Sequence, residues 1–516
     1  MVRRQMFKVN NSERNFMENF FQKVRDEVKR MGKTVEDCPF RTRYHIMPPV
    51  GWLNDPNGLC QLRGVHHAYF QYSPLSVHGG GGYWGHCVSK DLLHWEYKEP
   101  VLTTDTPEDA GGVYSGSALI ESDRMYLFYT GNVKLPGDYD YIDSGRISTQ
   151  ILTESDDGQH MSGKIKLLGM DDYPENITQH VRDPKVWKES GKYYMVLGAR
   201  ARAWDAAGRR SDKGGILIYD SDNREKWSLY REIVPEQKFG YMWECPDIFS
   251  LDERRILSFC PQGLPSEPEK YQNLYQSGYS VLPSPDLCNE YSSRQNNGTA
   301  ECAWNPEETF QEWDMGFDFY APQSFEDEEG RRILIGWAGV PDTEKAHRNL
   351  SVENGWQHCL TLPTELVYHS GKIFRRPVRE LEELPWKEMY PDAADDVSRK
   401  YHWEDQTVEI REGEIAGGER EYLIGQEDNG LTIRVSGDRV ELNFLNRDGK
   451  PSVCGGGRTV RTGRVEEQVE DILVIIDSSI AEVFVNGGET VFTTRIYLDK
   501  QERQLVTDGR CRILAI

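Results

Sequence analysis

His67-Ala-Tyr-Phe-Gln-Tyr72 is a short apolar run that follows a polar turn, and runs of the same kind recur along the chain. The other four are Met125–Thr130, Tyr193–Leu197, Arg255–Phe259 and Arg332–Trp337. Runs rich in aromatic and β-branched residues that lie between turns predict strands. Because these runs recur at intervals of roughly 55 to 80 residues, they predict the five blades of a β-propeller.

The C-terminal part of the chain shows a different pattern. Between residues 376 and 400 the sequence is charged and interrupted by prolines, which marks a domain boundary. Two hairpins of alternating apolar and polar residues follow: 431–444 turns at Ser436-Gly437-Asp438, and 481–493 turns at Asn486-Gly487. Hairpins with one apolar face predict an antiparallel β-sandwich.

The N-terminal part predicts one helix. Phe16, Phe20, Val24 and Val28 recur every four residues, which gives a helix from about residue 11 to 31 an apolar stripe that ends at Gly32. A chain of 516 residues is too long for one ordinary core. We therefore predict an all-β fold with four parts: a helical extension over 1–40, a five-bladed β-propeller over 41–375, a linker over 376–400 and a β-sandwich over 401–516.

The composition excludes several classes of partner. A net charge of −23 argues against nucleic acid and anionic membranes, because their phosphates would be repelled. The ten cysteines, Cys288 and Cys302 among them, form no CxxC pair or metal-ligand spacing, so a metal site has no support. No apolar signal segment opens the chain, and no stretch reaches the length of a membrane span. These features predict a cytoplasmic protein with reduced thiols.

Three acidic residues stand in motifs that contain a proline. Trp52-Leu-Asn-Asp-Pro-Asn-Gly58 predicts a tight turn that holds Asp55 at a strand end, beside an aromatic wall. In Arg182-Asp183-Pro184 the proline favours extended geometry for Asp183, next to a guanidinium group. In Trp243-Glu244-Cys245-Pro246 an apolar neighbourhood is expected to raise the pKa of Glu244, which suits a general acid.

Each motif alone also has a local explanation. Asp55 could cap its own turn, Asp183 could form an ion pair with Arg182, and Glu244 could be a solvated turn residue. All three acids, however, lie near the starts of predicted blades. Equivalent positions of the blades of a propeller face one axis, so the three carboxylates are predicted to meet in a single central cavity.

Taken together, these motifs resemble those of glycoside hydrolase family 32, the invertases, sucrose-6-phosphate hydrolases and fructan hydrolases. The resemblance runs from about Tyr44 to Tyr497, nearly the whole chain. The matching segments are Trp52–Gly58, Phe70–Tyr72, Trp84–His86, Tyr114–Gly116, Arg182–Pro184, Trp243–Cys245, Phe317–Gln323, Ile335–Trp337, Glu482–Asn486 and Thr494–Tyr497. The resemblance implies a five-bladed propeller followed by a sandwich, with the active site in the funnel of the propeller.

The resemblance also implies a role for each acid. Asp55 matches the nucleophile that attacks the anomeric C2 of a β-fructofuranosyl unit, Glu244 matches the acid/base, and Asp183 matches the residue that holds fructose hydroxyls and stabilises the transition state. The positions that match sugar contacts are Asn54, Gln71, Trp84, Tyr114, Ser115, Arg182, Tyr320 and Trp337. Hydrolysis with retention of the anomeric configuration requires the nucleophile and the acid/base to lie roughly 5 to 5.5 Å apart. No metal or cofactor is implied.

The sequence leaves three functions open. The favoured one is hydrolysis of sucrose or sucrose 6-phosphate in the cytoplasm. The second is cleavage of short fructans, or transfer of fructose to another sugar. The third is a non-catalytic carbohydrate-binding propeller. The presence of all three acids argues against this function. The run His78-Gly-Gly-Gly-Gly82 replaces a second Trp-Gly of the family, which predicts a reduced or mobile wall for the leaving group. The leaving group is not identified, and both the sandwich and the N-terminal helix are candidate dimer contacts.

Overall fold

The computed structural model describes residues 11–282, 304–343, 345–394, 398–404, 407–415 and 418–516, with only the backbone at 11–17 and 394. Residues 1–10 of the expected N-terminal extension, residues 395–397 of the expected linker, the Phe16 side chain, Cys288 and Cys302 therefore lie outside the described part. The protein is an all-β molecule: one N-terminal helix, a five-bladed propeller and a C-terminal β-sandwich.

Each propeller blade is a four-stranded antiparallel sheet. Blade 1 contains β1 (Gly51–Leu62), β2 (Val65–Ser73), β3 (Tyr83–Ser89) and β4 (Glu96–Leu102); blade 2 contains β5 (Val113–Glu121), β6 (Arg124–Lys134), β7 (Arg146–Ser155) and β8 (Ile165–Leu168). Blade 3 contains β9 (Ile177–Glu189), β10 (Lys192–Ala201), β11 (Lys213–Ser221) and β12 (Ser228–Ile233).

Blades 4 and 5 complete the ring. Blade 4 contains β13 (Met242–Leu251), β14 (Arg254–Gln262), β15 (Gly278–Val281) and β16 (Gln311–Glu312). Blade 5 contains β17 (Tyr320–Glu326), β18 (Arg332–Trp337) and, after the two-residue β19 (Trp356–Gln357), β20 (Thr364–His369) and β21 (Lys372–Pro377). Because β19 pairs in parallel with β1, it joins the last blade to the first.

The five apolar runs that predicted the propeller each fall in the second strand of a different blade, namely β2, β6, β10, β14 and β18. The prediction of five blades is therefore confirmed. Second strands read clearly in the sequence because they are flanked by other strands of their blade and contain few turn residues. The first strands contact one another around the axis, and their sequences are less regular.

The first strand of every blade carries a β-bulge at the same place. At each bulge two residues of the first strand lie opposite one residue of the second strand, which bends the first strand and redirects its side chains. The bulged pairs are Asn54-Asp55, Tyr114-Ser115, Asp183-Pro184, Cys245-Pro246 and Ala321-Pro322. The three predicted catalytic acids, Asp55, Asp183 and Glu244, therefore lie in or directly next to these bulges.

The bulges correct two local expectations. The predicted tight turn at Asp55 is wrong: Trp52–Gly58 lies inside β1, where the register shifts twice and Gly58 adopts a φ of 52°. Proline and glycine here mark bulges in a continuous strand. The extended geometry expected for Asp183 is also wrong, since its φ is 65°, in the left-handed region. Cys245 and Ala321, at the same bulge position, share this left-handed conformation.

The N-terminal helix, α1 (Asn11–Glu36), extends beyond Gly32, which does not end it. Phe20 of this helix is buried against Tyr83 of blade 1, with 4.2 Å between ring centroids. The helix thus packs on the body of the protein through part of the predicted apolar stripe. A second helix, α2 (Pro306–Thr309), forms one turn in blade 4.

The sandwich strands follow a 3₁₀ helix at Arg379–Glu383. They are β22 (Lys387–Met389), β23 (Ala393–Ala394), β24 (Arg399–His402), β25 (Val408–Glu412), β26 (Arg420–Gln426), β27 (Asn429–Ser436), β28 (Arg439–Asn443), β29 (Val460–Arg464), β30 (Ile472–Asp477), β31 (Ile480–Val485), β32 (Thr490–Arg495), β33 (Gln504–Thr507) and β34 (Arg512–Ala515). One sheet has the order β22-β34-β25-β30-β31-β32 and the other β23-β24-β33-β26-β27-β28-β29.

Both predicted hairpins are present in the sandwich. Ser436 pairs with Arg439 around a two-residue turn, whereas Val485 pairs with Thr490, so the second hairpin has a four-residue loop instead of a two-residue turn. β22 and β23, which lie in the range expected to be a linker, pair with strands of the sandwich. The chain therefore enters the sandwich soon after it leaves blade 5.

Candidate active site

One end of the propeller axis is surrounded by five loops, which we call the mouth loops. Each joins the second strand of its blade to the third, and they comprise residues 74–82, 135–145, 202–212, 263–277 and 338–363. Because first and second strands are antiparallel, the first strands begin where the second strands end. The bulges lie near those beginnings, and their side chains are therefore at the mouth.

Asp55 is fixed by donors from two blades. Its Oδ2 accepts a hydrogen bond of 2.6 Å from the Ser115 hydroxyl in blade 2, and its Oδ1 accepts one of 3.1 Å from Asn54 Nδ2. Asn54 is in turn held by the indole N–H of Trp52 at 2.8 Å. Burial raises the pKa of Asp55, the two donors oppose that rise, and the charge of Glu244 adds to it.

Asp183 is almost fully buried in blade 3. Its Oδ2 accepts the backbone N–H of Cys245 at 3.0 Å, and Arg182 Nε lies 3.9 Å from the same oxygen. Burial raises the pKa of Asp183 to about 7; Arg182 opposes the rise, and the charges of Glu244 and Asp55 add to it. Arg182 and Asp183 therefore form only a long ion pair, without a hydrogen bond between them.

Glu244 is surrounded by polar groups. Its Oε1 accepts two hydrogen bonds from Arg182, at 2.6 and 3.0 Å, and its Oε2 accepts one from Gln262 at 2.7 Å and one from the Tyr320 hydroxyl at 2.6 Å. The expected apolar neighbourhood is therefore wrong. Successive strand residues face opposite sides, and Trp243 packs into the core between blades 3 and 4.

The three carboxylates come from blades 1, 3 and 4 and lie close enough to affect one another. The charge of Glu244 raises the pKa of both Asp55 and Asp183, and the charge of Asp55 also raises that of Asp183. Three acids in one buried cavity can stabilise a positively charged transition state. They also supply the two carboxyl groups that nucleophilic and acid–base steps require.

An aromatic wall stands beside Asp55. The ring of His358 meets Trp52 and Trp337 edge to face, with centroids 4.3 and 5.0 Å away. Trp337 is buried, and among the described residues its indole N–H has no hydrogen-bond partner. A buried donor without a partner at a cavity is available to a ligand.

The glycine run forms a closely packed part of this wall. Gly81 N–H donates to the Ser73 hydroxyl at 2.7 Å, and the Gly82 carbonyl accepts the N–H of Val113 in blade 2 at 2.8 Å. A Cβ on Gly82 would lie 2.8 Å from Gly112 Cα. The missing side chains therefore allow the loop to close the gap between blades 1 and 2.

The sequence-predicted sugar contacts divide into two groups. Four of them bond directly to one of the three carboxylates; these are Asn54, Ser115, Arg182 and Tyr320. The others lie around these. Trp84 is fully buried and donates to the Tyr114 carbonyl at 3.1 Å, and Gln71 donates to the Val113 carbonyl at 3.0 Å. Both side chains hold the backbone of blade 2, and a sugar contact of Trp84 stays a prediction.

Sequence reasoning missed three residues of this site. Gln262 donates to Glu244, His180 Nδ1 accepts a hydrogen bond of 2.9 Å from Arg182, and the Thr130 hydroxyl accepts the N–H of Asp183 at 3.0 Å. Gln262 is the polar last residue of the second strand of blade 4, at the mouth, and this was the available signal. Thr130 and His180 carry no such signal.

Within the described ranges, no group of three or more His, Cys, Asp or Glu side chains is arranged to hold a metal ion. Neither helix, as far as the structure describes it, is long and apolar enough to cross a membrane.

Comparison with known proteins identifies clear relatives. Residues 45–377 match the family model "Glycosyl hydrolases family 32 N-terminal domain", and residues 443–510 match "Glycosyl hydrolases family 32 C terminal". A sucrose-6-phosphate hydrolase of Bacillus subtilis is 34% identical over 92% of both chains. The structure of a sucrose-6-phosphate hydrolase from Lactobacillus gasseri superposes with a TM-score of 0.77, 26% identity and 95% coverage of both chains. A Bombyx mori β-fructofuranosidase mutant in complex with sucrose has a TM-score of 0.76 and 27% identity, over 96% of this chain and 97% of that one.

Proposed function

The chain belongs to glycosyl hydrolase family 32, and from this premise we propose that Asp55, Asp183 and Glu244 form its catalytic centre. The protein is a glycoside hydrolase that splits sucrose or sucrose 6-phosphate with retention of configuration. The observation that carries the assignment of residues is the convergence of three carboxylates from blades 1, 3 and 4: Arg182 contacts both Asp183 and Glu244, and the charge of Glu244 raises the pKa of Asp55 and of Asp183.

Asp55 is the proposed nucleophile. The donors Ser115 and Asn54 hold its carboxylate in one orientation and favour its ionised form. In the first step an oxygen of Asp55 forms a bond to the anomeric C2 of fructose, and the bond between C2 and the glycosidic oxygen breaks. The leaving oxygen takes a proton from Glu244, so that the partner sugar departs as a neutral alcohol.

Glu244 then changes role. As a carboxylate it removes a proton from water, which attacks C2 and releases Asp55. Arg182, Gln262 and Tyr320 fix both oxygens of Glu244, which keeps the group aimed at one point in the cavity. The charges of Glu244 and Asp55 both raise the pKa of Asp183, and the proposed role of its carboxylate is to stabilise the oxocarbenium-like transition state.

A cytoplasmic location is also part of the proposal. All eight cysteines in the described ranges are free, and seven of them are buried. Free thiols suit a reducing compartment. The named bacterial relatives act on a phosphorylated sugar, which supports an imported and phosphorylated substrate.

Two variants and one control variant test the proposed roles. Glu244→Gln should lower the rate of hydrolysis by about 10² to 10⁴-fold, the usual contribution of general acid–base catalysis. The control is Glu189→Gln, which removes a carboxylate at the end of β9 that is far from the mouth, and it should retain activity. Mass spectrometry of the protein during turnover should find a fructosyl adduct on Asp55. Detection of a fructosyl adduct in Asp55→Ala would show that Asp55 is not the nucleophile.

The substrate is tested by ranking kcat/KM for sucrose, sucrose 6-phosphate, kestose and inulin. We expect one of the two disaccharides to rank first, with fructose as the released sugar. A higher kcat/KM for kestose or inulin would favour fructan cleavage. Release of glucose without an equal amount of free fructose would reveal transfer to another sugar.

A further inference from the structure

The mouth loop of blade 3, residues 202–212, is a basic hairpin. Five cations and two acids lie between Ala199 and Lys213, in a chain whose net charge is −23. Trp204 and Arg210 pair across the hairpin, and the Trp204 side chain is 63% exposed. The stretch thus carries three net positive charges and lies against the mouth loop of blade 2, in which Asp138, Asp140 and Asp143 carry three negative charges.

Three arginines of this region share two aspartates. Arg200 Nε donates to Asp212 at 2.7 Å, and Arg210 Nε donates to the same carboxylate at 2.9 Å. Arg202 Nε donates to Asp143 at 2.7 Å, and Arg210 Nη1 bonds to Asp143 as well. We call Arg200, Arg202 and Arg210 the arginine cluster. Its three guanidinium groups face only two carboxylates, so one positive charge is not compensated within it.

The arginine cluster is connected to the acid/base through blade 2. Asp143 belongs to the same mouth loop as Tyr141, whose carbonyl accepts a hydrogen bond of 3.0 Å from His180 Nε2. His180 bonds to Arg182, which bonds to Glu244. Burial and the charges of three arginines, Arg182, Arg146 and Arg200, push the pKa of His180 far below its usual range, which is consistent with a positive field at this point.

The rim of the mouth also presents apolar side chains to solvent. Of the eight large apolar residues that are exposed in the described part of the chain, five are on mouth loops: Leu75, Leu135, Tyr139, Trp204 and Leu274. Exposed apolar side chains that concentrate on one face mark a surface that binds something. The basic hairpin therefore lies at the end of the propeller that carries most of the exposed large apolar side chains in the described part of the chain.

We propose that the arginine cluster binds the phosphate of a phosphorylated leaving group, so that this site prefers sucrose 6-phosphate to sucrose. The inference rests on the proposed function, because the leaving oxygen must lie beside Glu244 and its sugar must extend toward the mouth. Guanidinium groups bind phosphate oxygens through paired, charge-assisted hydrogen bonds. Arg200, Arg202 and Arg210 are 17%, 27% and 38% exposed, which leaves part of each accessible.

A purely structural role would give a different result. The arginine cluster also ties the mouth loops of blades 2 and 3 together, and loss of that link would lower kcat/KM for sucrose and sucrose 6-phosphate by the same factor. A phosphate contact affects only the phosphorylated substrate. The decisive quantity is therefore the selectivity ratio, kcat/KM for sucrose 6-phosphate divided by kcat/KM for sucrose.

The experiment measures this ratio in Arg210→Gln and, as a second variant, in Arg200→Gln. We expect the ratio to fall about tenfold in each, the usual effect of losing a charge-assisted hydrogen bond. Arg124→Gln is the matched control: Arg124 is 43% exposed and bonds to Glu154 and Asp156, but lies at the start of β6, away from the mouth. Its ratio should equal that of the wild type.

Calorimetry with glucose 6-phosphate and glucose gives a readout that does not depend on turnover. The wild type should bind glucose 6-phosphate more tightly than glucose, and Arg210→Gln should lose that difference. An unchanged selectivity ratio in both variants, or equal binding of the two sugars by the wild type, would overturn the inference while the hydrolase function stands. Absence of fructose release from either substrate by the wild type would instead contradict the proposed function.

Discussion

Ser115 is the residue through which blade 2 acts on the carboxylate of blade 1. Its hydroxyl gives Asp55 the shorter of the two side-chain hydrogen bonds that it accepts, 2.6 Å against 3.1 Å from Asn54. Burial and the charge of Glu244 raise the pKa of Asp55, and Ser115 is the largest influence that lowers it. The ionised nucleophile therefore depends on a donor from the neighbouring blade.

Ser115→Ala should shift the acid limb of the kcat/KM profile to higher pH. The nucleophile must be ionised, and loss of the donor raises the pKa of Asp55, so ionisation requires a higher pH. At the pH optimum we expect a fall in rate of about tenfold, as for the loss of a charge-assisted hydrogen bond. The measurement is kcat/KM against pH, with sucrose as the substrate.

Ser117→Ala is the matched control for this prediction. Ser117 lies two residues further along β5, is equally buried, and donates to the Pro184 carbonyl at 2.8 Å. Its loss should reduce stability without moving the acid limb. If both alanine variants keep the wild-type limb, Ser115 does not control the ionisation of Asp55.

The sequence predicted which acids lie together, but not what surrounds them. Asp55, Asp183 and Glu244 stood out because each lies in a proline motif with tryptophan or arginine. The surroundings of Glu244 were predicted wrongly from its sequence neighbours, since Trp243 faces the opposite side of the strand. Its partners Gln262 and Tyr320 come from other strands, which local sequence does not place.

Among the structural elements, the first strand of each blade is the one that carries the site. All five first strands are bulged at the same place, and three of the bulges place a proline directly after a residue with positive φ. Apolar alternation identified the second strands, which are regular. The first strands read as turns because the residues that permit a bulge, proline and glycine, are also those that form turns.

Gly116→Ala tests whether the bulge of blade 2 needs a glycine. A Cβ at this position would lie 2.0 Å from the Phe128 carbonyl oxygen and 2.6 Å from Tyr129 Cα. The two strands must then move apart next to Ser115, which should cost about 1–3 kcal/mol of unfolding free energy and lower kcat. Chemical denaturation and a sucrose assay measure the two effects.

Gly32→Ala supplies the contrast within the same chain. Gly32 lies inside α1, and nothing is within 4 Å of its Cβ position. Alanine in a helix is favoured over glycine by roughly 0.5–1 kcal/mol, so this variant should be slightly more stable and fully active. Wild-type stability and activity in Gly116→Ala would show that the strand pair accommodates a side chain there.

Buried charges join the propeller to the sandwich. His45 precedes blade 1, and its ring is fully buried between two sandwich carboxylates, with Nδ1 2.7 Å from Asp477 and Nε2 3.4 Å from Glu482. Burial alone would lower the pKa of His45, but its contacts with the two carboxylates raise it to about 9. The two domains are thus held by a histidine that is protonated at neutral pH.

This contact predicts how stability changes with pH. The folded pKa of His45 lies above its unfolded value, so its contribution is complete below about pH 6.5 and is lost as pH rises through about 9. The stability difference between the wild type and His45→Gln should therefore shrink by up to about 3 kcal/mol across that interval. Urea denaturation of both proteins between pH 6 and 10 measures it, and parallel profiles would contradict it.

Two arginines of the sandwich reach carboxylates of the propeller and differ in burial. Arg458 bonds to both oxygens of Asp318 at 2.6 Å with 1% of its side chain exposed. Arg464 bonds to both oxygens of Glu269 at 2.6 and 3.0 Å with 47% exposed. The two pairs have similar geometry and differ in burial, although Arg464 also bonds to Asp438 and Arg458 also bonds to Asn349.

Arg458→Met should destabilise the protein by about 3–5 kcal/mol, because Asp318 would stay buried without its charge partner. Arg464→Met should cost less than about 1 kcal/mol, since water screens the exposed pair. Adding Asp318→Asn to Arg458→Met should restore part of the loss, because the second change removes the isolated charge. Urea denaturation of the three variants measures the free energies. Equal losses in Arg458→Met and Arg464→Met would mean that burial does not set the strength of the contact between the domains.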